Sequence, residues 1–88
     1  MSADLEFVLG YMLSQELGRE VDVKIEGVDP KTGTLTMVVD GRRVSFEFRQ
    51  CKTDSVDRAL RCIEKALSRD ENTARRFVEE VRRALGTQ

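Results

Sequence analysis

Residues 21–48 read VDVKIEGVDPKTGTLTMVVDGRRVSFEF, and most of the structural reading of this chain grows from that run. Val21, Val23 and Ile25 alternate with Asp22, Lys24 and Glu26, the period of a strand with one buried face. Asp29-Pro30-Lys31-Thr32-Gly33 interrupts the alternation with turn chemistry. Pro30 presets φ and Gly33 supplies a positive φ. Leu35, Met37 and Val39 then resume at odd positions. Asp40-Gly41 is a strong two-residue hairpin signal, and beyond it Val44, Phe46 and Phe48 fall at even positions. That switch of parity is an internal check on the pairing. A two-residue turn at Asp40-Gly41 sets Met37 opposite Val44 and Leu35 opposite Phe46, whereas a slip by one residue would set apolar against polar throughout. A five-residue loop at 29–33 likewise sets Ile25 opposite Met37 and Val23 opposite Val39. The three strands therefore form an antiparallel meander in order 1-2-3 with one apolar face. The face carrying Asp22, Lys24, Glu26, Thr36, Arg43, Ser45, Glu47 and Arg49 is wet.

Helical periodicity flanks the meander on both sides. From about Ala3 to Leu17, Leu5, Val8, Leu9 and Met12 make one stripe, Ser2 is placed to cap the start, and Gly18 suits the left-handed position past the end. Phe7 and Tyr11 lie on a second stripe, widened by Leu13 and Leu17. This helix carries more apolar surface than one sheet face needs. Two explanations stand: the last helix covers Phe7 and Tyr11, or Phe7, Tyr11 and Leu13 form a partner-binding patch. After the strands, Thr53 or Asp54 caps a second helix with stripe Val56, Ala59, Leu60, Ile63, Ala66 and Leu67. Asp70 or Asn72 caps a third with stripe Ala74, Phe77, Val78, Val81, Ala84 and Leu85. The fold class is α+β, in the order α-β-β-β-α-α, with the helices packed on one face of the sheet: the first two on its apolar face and the third on those helices, covering the Phe7 and Tyr11 side.

Eighty-eight residues make a single domain, 1–88, with room for one core. The chain has no His, which removes the usual base near neutral pH and the commonest metal ligand. Catalytic, cofactor and metal sites are therefore expected to be none, and the chain is expected not to be an enzyme. Cys51 and Cys62 are too few for a four-thiolate zinc site. They are read as free thiols, with one disulfide or a labelling site as alternatives. Cys51 is expected to face away from the apolar side of the sheet, and neither cysteine is expected to have a basic cluster beside it. Acidic and basic residues number 16 and 15, so no long-range field steers nucleic acid or anionic membrane to the surface. No apolar run reaches the ~18 residues of a membrane span, and the start MSADLEF is acidic where a signal peptide would be basic. A cytoplasmic monomer is expected. Arg75, Arg76, Arg82 and Arg83 are interleaved with Glu79 and Glu80 at i,i+4 spacing, the pattern of a solvated face. Arg42 and Arg43 are ordinary decoration beside a hairpin tip.

The order α-β-β-β-α over roughly residues 3–67 resembles the double-stranded RNA-binding domain. In that family a Lys-Lys-x-Ala-Lys motif at the start of the second helix clasps phosphates. The matching residues here are Thr53-Asp54-Ser55-Val56-Asp57, which keep the apolar position as Val56 and replace the basic ones with Thr53, Asp54 and Asp57. Acids beside a helix N-terminus stabilise the helix while repelling a phosphate backbone. Double-stranded RNA is therefore not expected as a ligand. The full order is also similar to that of some small phage anti-CRISPR inhibitors, which implies partner contacts without pointing to particular residues. Finally, the agreement of caps, alternation and turn residues resembles an idealised, computationally designed small α+β protein. The cysteines and Gly10 inside a helix depart from that style. Two functional expectations follow. One is a self-contained structural domain, de novo designed or design-like, without an evolved ligand. The other is a small protein-interaction or inhibitor module that docks a protein partner, or a second copy of itself, through the first helix.

Overall fold

Strict alternation and two turn signals give the meander its frame. In the computed structural model, which describes residues 2–86, β1 (Val23–Asp29), β2 (Thr34–Val39) and β3 (Arg42–Glu47) pair antiparallel in the order β1-β2-β3. α1 (Ser2–Leu17) precedes them, and a 3-10 turn (Arg49–Cys51), α2 (Val56–Arg69) and α3 (Glu71–Leu85) follow. The side chains of Ser2 and Ala3 lie outside the described part, and with them the cap expected of Ser2. Met37 faces Val44, Leu35 faces Phe46, Ile25 faces Met37 and Val23 faces Val39, as the parity argument requires. Lys24, Glu26, Arg43, Ser45 and Glu47 are exposed on the opposite face.

One detail of the register differs from expectation. Asp29 pairs with Thr34, so the β1–β2 loop holds four residues rather than five, and a bulge between Ile25 and Gly27 absorbs the difference. An inserted residue flips the parity of a strand. Val28 therefore comes opposite Leu35, while Ile25 and Val23 stay in the pairing already named.

Two arrangements close the ends of the sheet. At the tip between β2 and β3, Asp40 (φ 50°) and Gly41 (φ 83°) are both left-handed, the conformation that matches the twist of a two-residue hairpin. At the other end, the Gly33 amide donates to the Asp29 carbonyl at 2.8 Å and the Lys31 amide to the Asp29 carboxylate at 3.0 Å. Gly33 has φ 75° and lies against the Phe48 carbonyl, which leaves no room for a β-carbon. The Phe48 amide donates to the Gly33 carbonyl and the Thr53 amide to the Pro30 carbonyl, both at 2.8 Å. The loop and the 3-10 turn thus form one packed unit.

α1 packs against β1, α3 against β3, and α2 against β1 and the 3-10 turn. Phe46, Phe48 and Phe77 meet edge-on or tilted, with ring centroids 4.8–6.0 Å apart, and seat α3 on β3. Leu5, Leu9, Leu13, Leu35, Met37, Val39, Ile63, Phe77 and Val81 fill the fully enclosed centre. Three expectations are corrected here. α3 lies on β3 and does not cover Phe7 and Tyr11, which stay exposed. Ser55, not Thr53 or Asp54, caps α2, accepting from the Arg58 amide at 3.1 Å, because the helix begins only at Val56 and the Thr53 hydroxyl donates to the Asp54 carboxylate instead. Val56, at the first turn of α2, is exposed rather than core. Asp70 caps α3 as expected, accepting from the Asn72 and Thr73 amides, and its own amide also closes the last turn of α2.

Candidate functional site

The residues singled out on α1 divide into two groups. Leu5, Leu9 and Leu13 repeat every fourth residue and are buried, so Leu13 belongs to the core and leaves the predicted patch. Phe7 and Tyr11 stand on the opposite side of the helix, 75% and 63% exposed. Val8 beside them is half-buried, and Gln15 and Glu16 continue the exposed side towards the C-terminus. Two adjacent aromatic rings held on a rigid helix offer large contact area at low conformational entropy. α1 is anchored beneath them from three sides. The Glu6 carboxylate accepts from the Ile25 amide at 2.7 Å, the Ser14 hydroxyl accepts from the Val21 amide at 3.0 Å, and Arg82 donates to the Glu16 carbonyl at 3.0 Å.

Most of the arginines suggested by the sequence are engaged with groups of the same chain. Arg42 reaches from the hairpin tip to the Ala84 carbonyl at 3.2 Å, placing a cation at the C-terminus of α3. Arg43 grips Glu26 through two hydrogen bonds of 2.9 and 3.1 Å, which hold the Glu26 carboxyl below its usual range. Arg83 pairs with Glu80 at 2.8 Å, three residues away, rather than with Glu79, and Arg75 donates to Asn72. Asp40 accepts from the Asp22 amide at 2.9 Å and pairs with Arg19 at 2.7 Å. The amide first and the guanidinium second lower its carboxyl below the ordinary aspartate value. Asp70 is lowered in the same way, chiefly by the hydroxyl and amide of Thr73.

The cysteines overturn their reading. Cys51 and Cys62 form a disulfide with Cα atoms 5.5 Å apart, and the described residues contain no free thiol. The 3-10 turn rotates Cys51 into the core, where it is 1% exposed, instead of leaving it on the wet face. Cys62 is half-buried on α2 and opens onto a shallow hollow of about 510 Å³ lined by Gln50, Arg58, Arg61, Lys65 and Ala66. A basic cluster therefore does lie beside a cysteine. The signal for it was the spacing: Arg58, Arg61, Lys65 and Arg69 share one face of α2, while Asp57 and Glu64 lie on another. Among the described residues, no group of three or more His, Cys, Asp or Glu could hold a metal ion. Among them, too, no helix is long and apolar enough to cross a membrane. Compared with known proteins, the chain matches no family model, no curated protein and no solved structure.

Proposed function

We propose that this domain is a small, non-catalytic interaction module that docks a protein partner through the outer face of α1. The observation that carries this reading is the exposure of Phe7 and Tyr11, four residues apart on a helix whose inner face is fully engaged in the core. Large aromatic side chains gain little from solvent exposure, and burying the pair at a contact would remove substantial apolar area from water. The partner that fits is a protein surface with an apolar cleft for the two rings. The non-catalytic part of the reading rests on the lack of any His and on the commitment of the perturbed carboxylates Asp40, Asp70 and Glu26 to structural partners.

A photo-crosslinking residue at position 7, with position 45 on the wet sheet face as control, tests this directly. The expected result is a discrete adduct at position 7 that excess unlabelled chain competes away and the Phe7→Asp/Tyr11→Asp chain does not. Competition by both chains, or equal labelling at position 45, would sink it. Phe7→Ala/Tyr11→Ala should change folding stability by no more than about 0.5 kcal/mol, because both sites are exposed. The second reading, a self-contained domain of designed or design-like origin without an evolved ligand, is favoured by the internal use of Arg42, Arg43 and Asp40. It predicts no saturable adduct at either position.

A further inference from the structure

The face of α2 around Cys62 shares no residue with the exposed side of α1, and it combines two features. One sulfur of the disulfide is sealed: Cys51 is 1% exposed. The other cysteine, Cys62, is half-buried and lines the hollow together with Arg58, Arg61 and Lys65. Arg58 is shared with Asp54 at 3.6 Å, an exposed pair, while Arg61 and Lys65 make no ion pair with any described residue. Arg69 extends the same face by a further turn. The protein as a whole has a formal net charge of −1, so this positive hollow is a local departure from the rest of the surface.

We propose that the Cys51–Cys62 disulfide is a thiol-exchange site for small anionic thiols, drawn to the Cys62 sulfur by Arg58, Arg61 and Lys65. The attacking thiolate forms a bond to Sγ of Cys62 as the bond between the two cysteine sulfurs breaks. The electron pair leaves with Sγ of Cys51, which takes a proton from water, and the incoming group stays on Cys62 as a mixed disulfide. A second thiolate attacks the outer sulfur of that mixed disulfide, yielding the small disulfide and a Cys62 thiolate. Two small thiols are thereby oxidised to one disulfide, and the protein disulfide is reduced to two thiols. Attack occurs at Cys62 because the other sulfur is enclosed, and exchange depends on access as well as on thiolate reactivity. Negative charge spread over three sulfurs in the transition state is stabilised by the fixed cations around it, as is the negative charge carried elsewhere on the thiol. Reduction unties the 3-10 turn from α2, so the state of the bond is coupled to the packing of the Asp29–Gly33 loop.

The test compares thiols of similar size and different charge on the oxidised protein: 2-mercaptoethanesulfonate, 2-mercaptoethanol and cysteamine. Rates are divided by thiolate concentration and by each thiol's rate on a small uncharged disulfide. At low salt the anionic thiol should react about tenfold faster than the cationic one, within the range of electrostatic focusing. The gap should shrink at ~1 M salt, where the screening length is about 3 Å. Arg61→Glu/Lys65→Glu should reverse the order, Arg61→Gln/Lys65→Gln should flatten it, and Lys24→Glu on the sheet face should leave it intact. Peptide mapping of the trapped intermediate should place the adduct on Cys62. Equal normalised rates, an order unmoved by the Arg61 and Lys65 substitutions, an adduct on Cys51, or a protein that shows two free thiols by mass after purification without reductant would each overturn the proposal.

Discussion

The two ends of the sheet reverse the chain with the same kind of residue but by different physics. At the loop end, Gly33 is wedged against the Phe48 carbonyl, the Thr53 amide reaches back to Pro30, and a disulfide ties the neighbouring turn to α2. Close backbone contact, backbone hydrogen bonds and a covalent bond do the holding. At the tip end, Gly41 has open space around it, and exposed side chains do the holding: Asp40 binds Asp22 and Arg19, and Arg42 binds Ala84. The first end depends on backbone shape and backbone hydrogen bonds, the second on exposed, charged side chains. A positive-φ glycine is thus demanding at one end for two reasons and at the other for only one.

Gly33→Ala breaks the loop end most severely. A left-handed residue with a β-carbon costs about 1–2 kcal/mol, and forcing the Phe48 backbone aside adds about 1–3 kcal/mol. Urea unfolding should show the total, and a loss below about 1 kcal/mol would mean that the loop slides away from Phe48 freely. Reducing the disulfide is the next largest effect. Closing a loop with a sequence separation of 11 residues constrains the unfolded chain by roughly 2–3 kcal/mol. The same loss should be seen in Cys51→Ala/Cys62→Ala, to which the emptied sulfur site in the core adds.

The tip end should respond less, and in a pH-dependent way. Asp40→Asn removes the charge from two exposed hydrogen bonds and should cost about 0.5–1 kcal/mol at neutral pH. The folded protein holds the Asp40 carboxyl below its ordinary 3.8. Its contribution is therefore complete above that value and is lost as the pH falls through the lower folded value. The stability gap between the parent and the Asn variant should stay constant from neutral pH down to about 5, then close below about 4. A gap unchanged at pH 3 would show that the carboxylate charge contributes nothing. Gly41→Asn, the smallest effect, should cost under about 1 kcal/mol, since Asn tolerates the left-handed region and nothing surrounds the site. If Gly41→Asn proves as damaging as Gly33→Ala, the distinction between the two ends fails.

Most of the framework was legible because strand parity is a sensitive signal. The switch from odd to even apolar positions across Asp40-Gly41 admits one pairing of Met37 with Val44, and that pairing is present. The bulge near Glu26 was illegible, because it depends on whether the loop closes with four residues or five, and Asp29-Pro30-Lys31-Thr32-Gly33 supports both. The disulfide was hidden for a related reason. Only the 3-10 turn brings Cys51 to α2, and three residues of turn leave no periodic trace. On α1 the fourfold repeat of Leu5, Leu9 and Leu13 already separated the core side from Phe7 and Tyr11. Grouping Leu13 with the aromatics overlooked that repeat. The positive face of α2 was equally readable from the spacing of Arg58, Arg61, Lys65 and Arg69. An overall charge near zero concealed it, because balance over a whole chain says nothing about segregation on one helix.

The bond from the Ile25 amide to Glu6, together with the bulge beside it, bears on how this protein behaves in a crowd. A free strand edge is a template: its unpaired amides invite a strand of another molecule and can seed ordered aggregates. On β1 one of those amides is already taken by a carboxylate of the same chain, and the bulge puts the edge out of step with any straight incoming strand. β3, the opposite edge, begins with Arg42-Arg43 and ends with Glu47, charges that an added strand would have to accommodate. A three-stranded sheet this small has two edges and little else to protect it. Here each edge carries its own deterrent to the addition of a foreign strand.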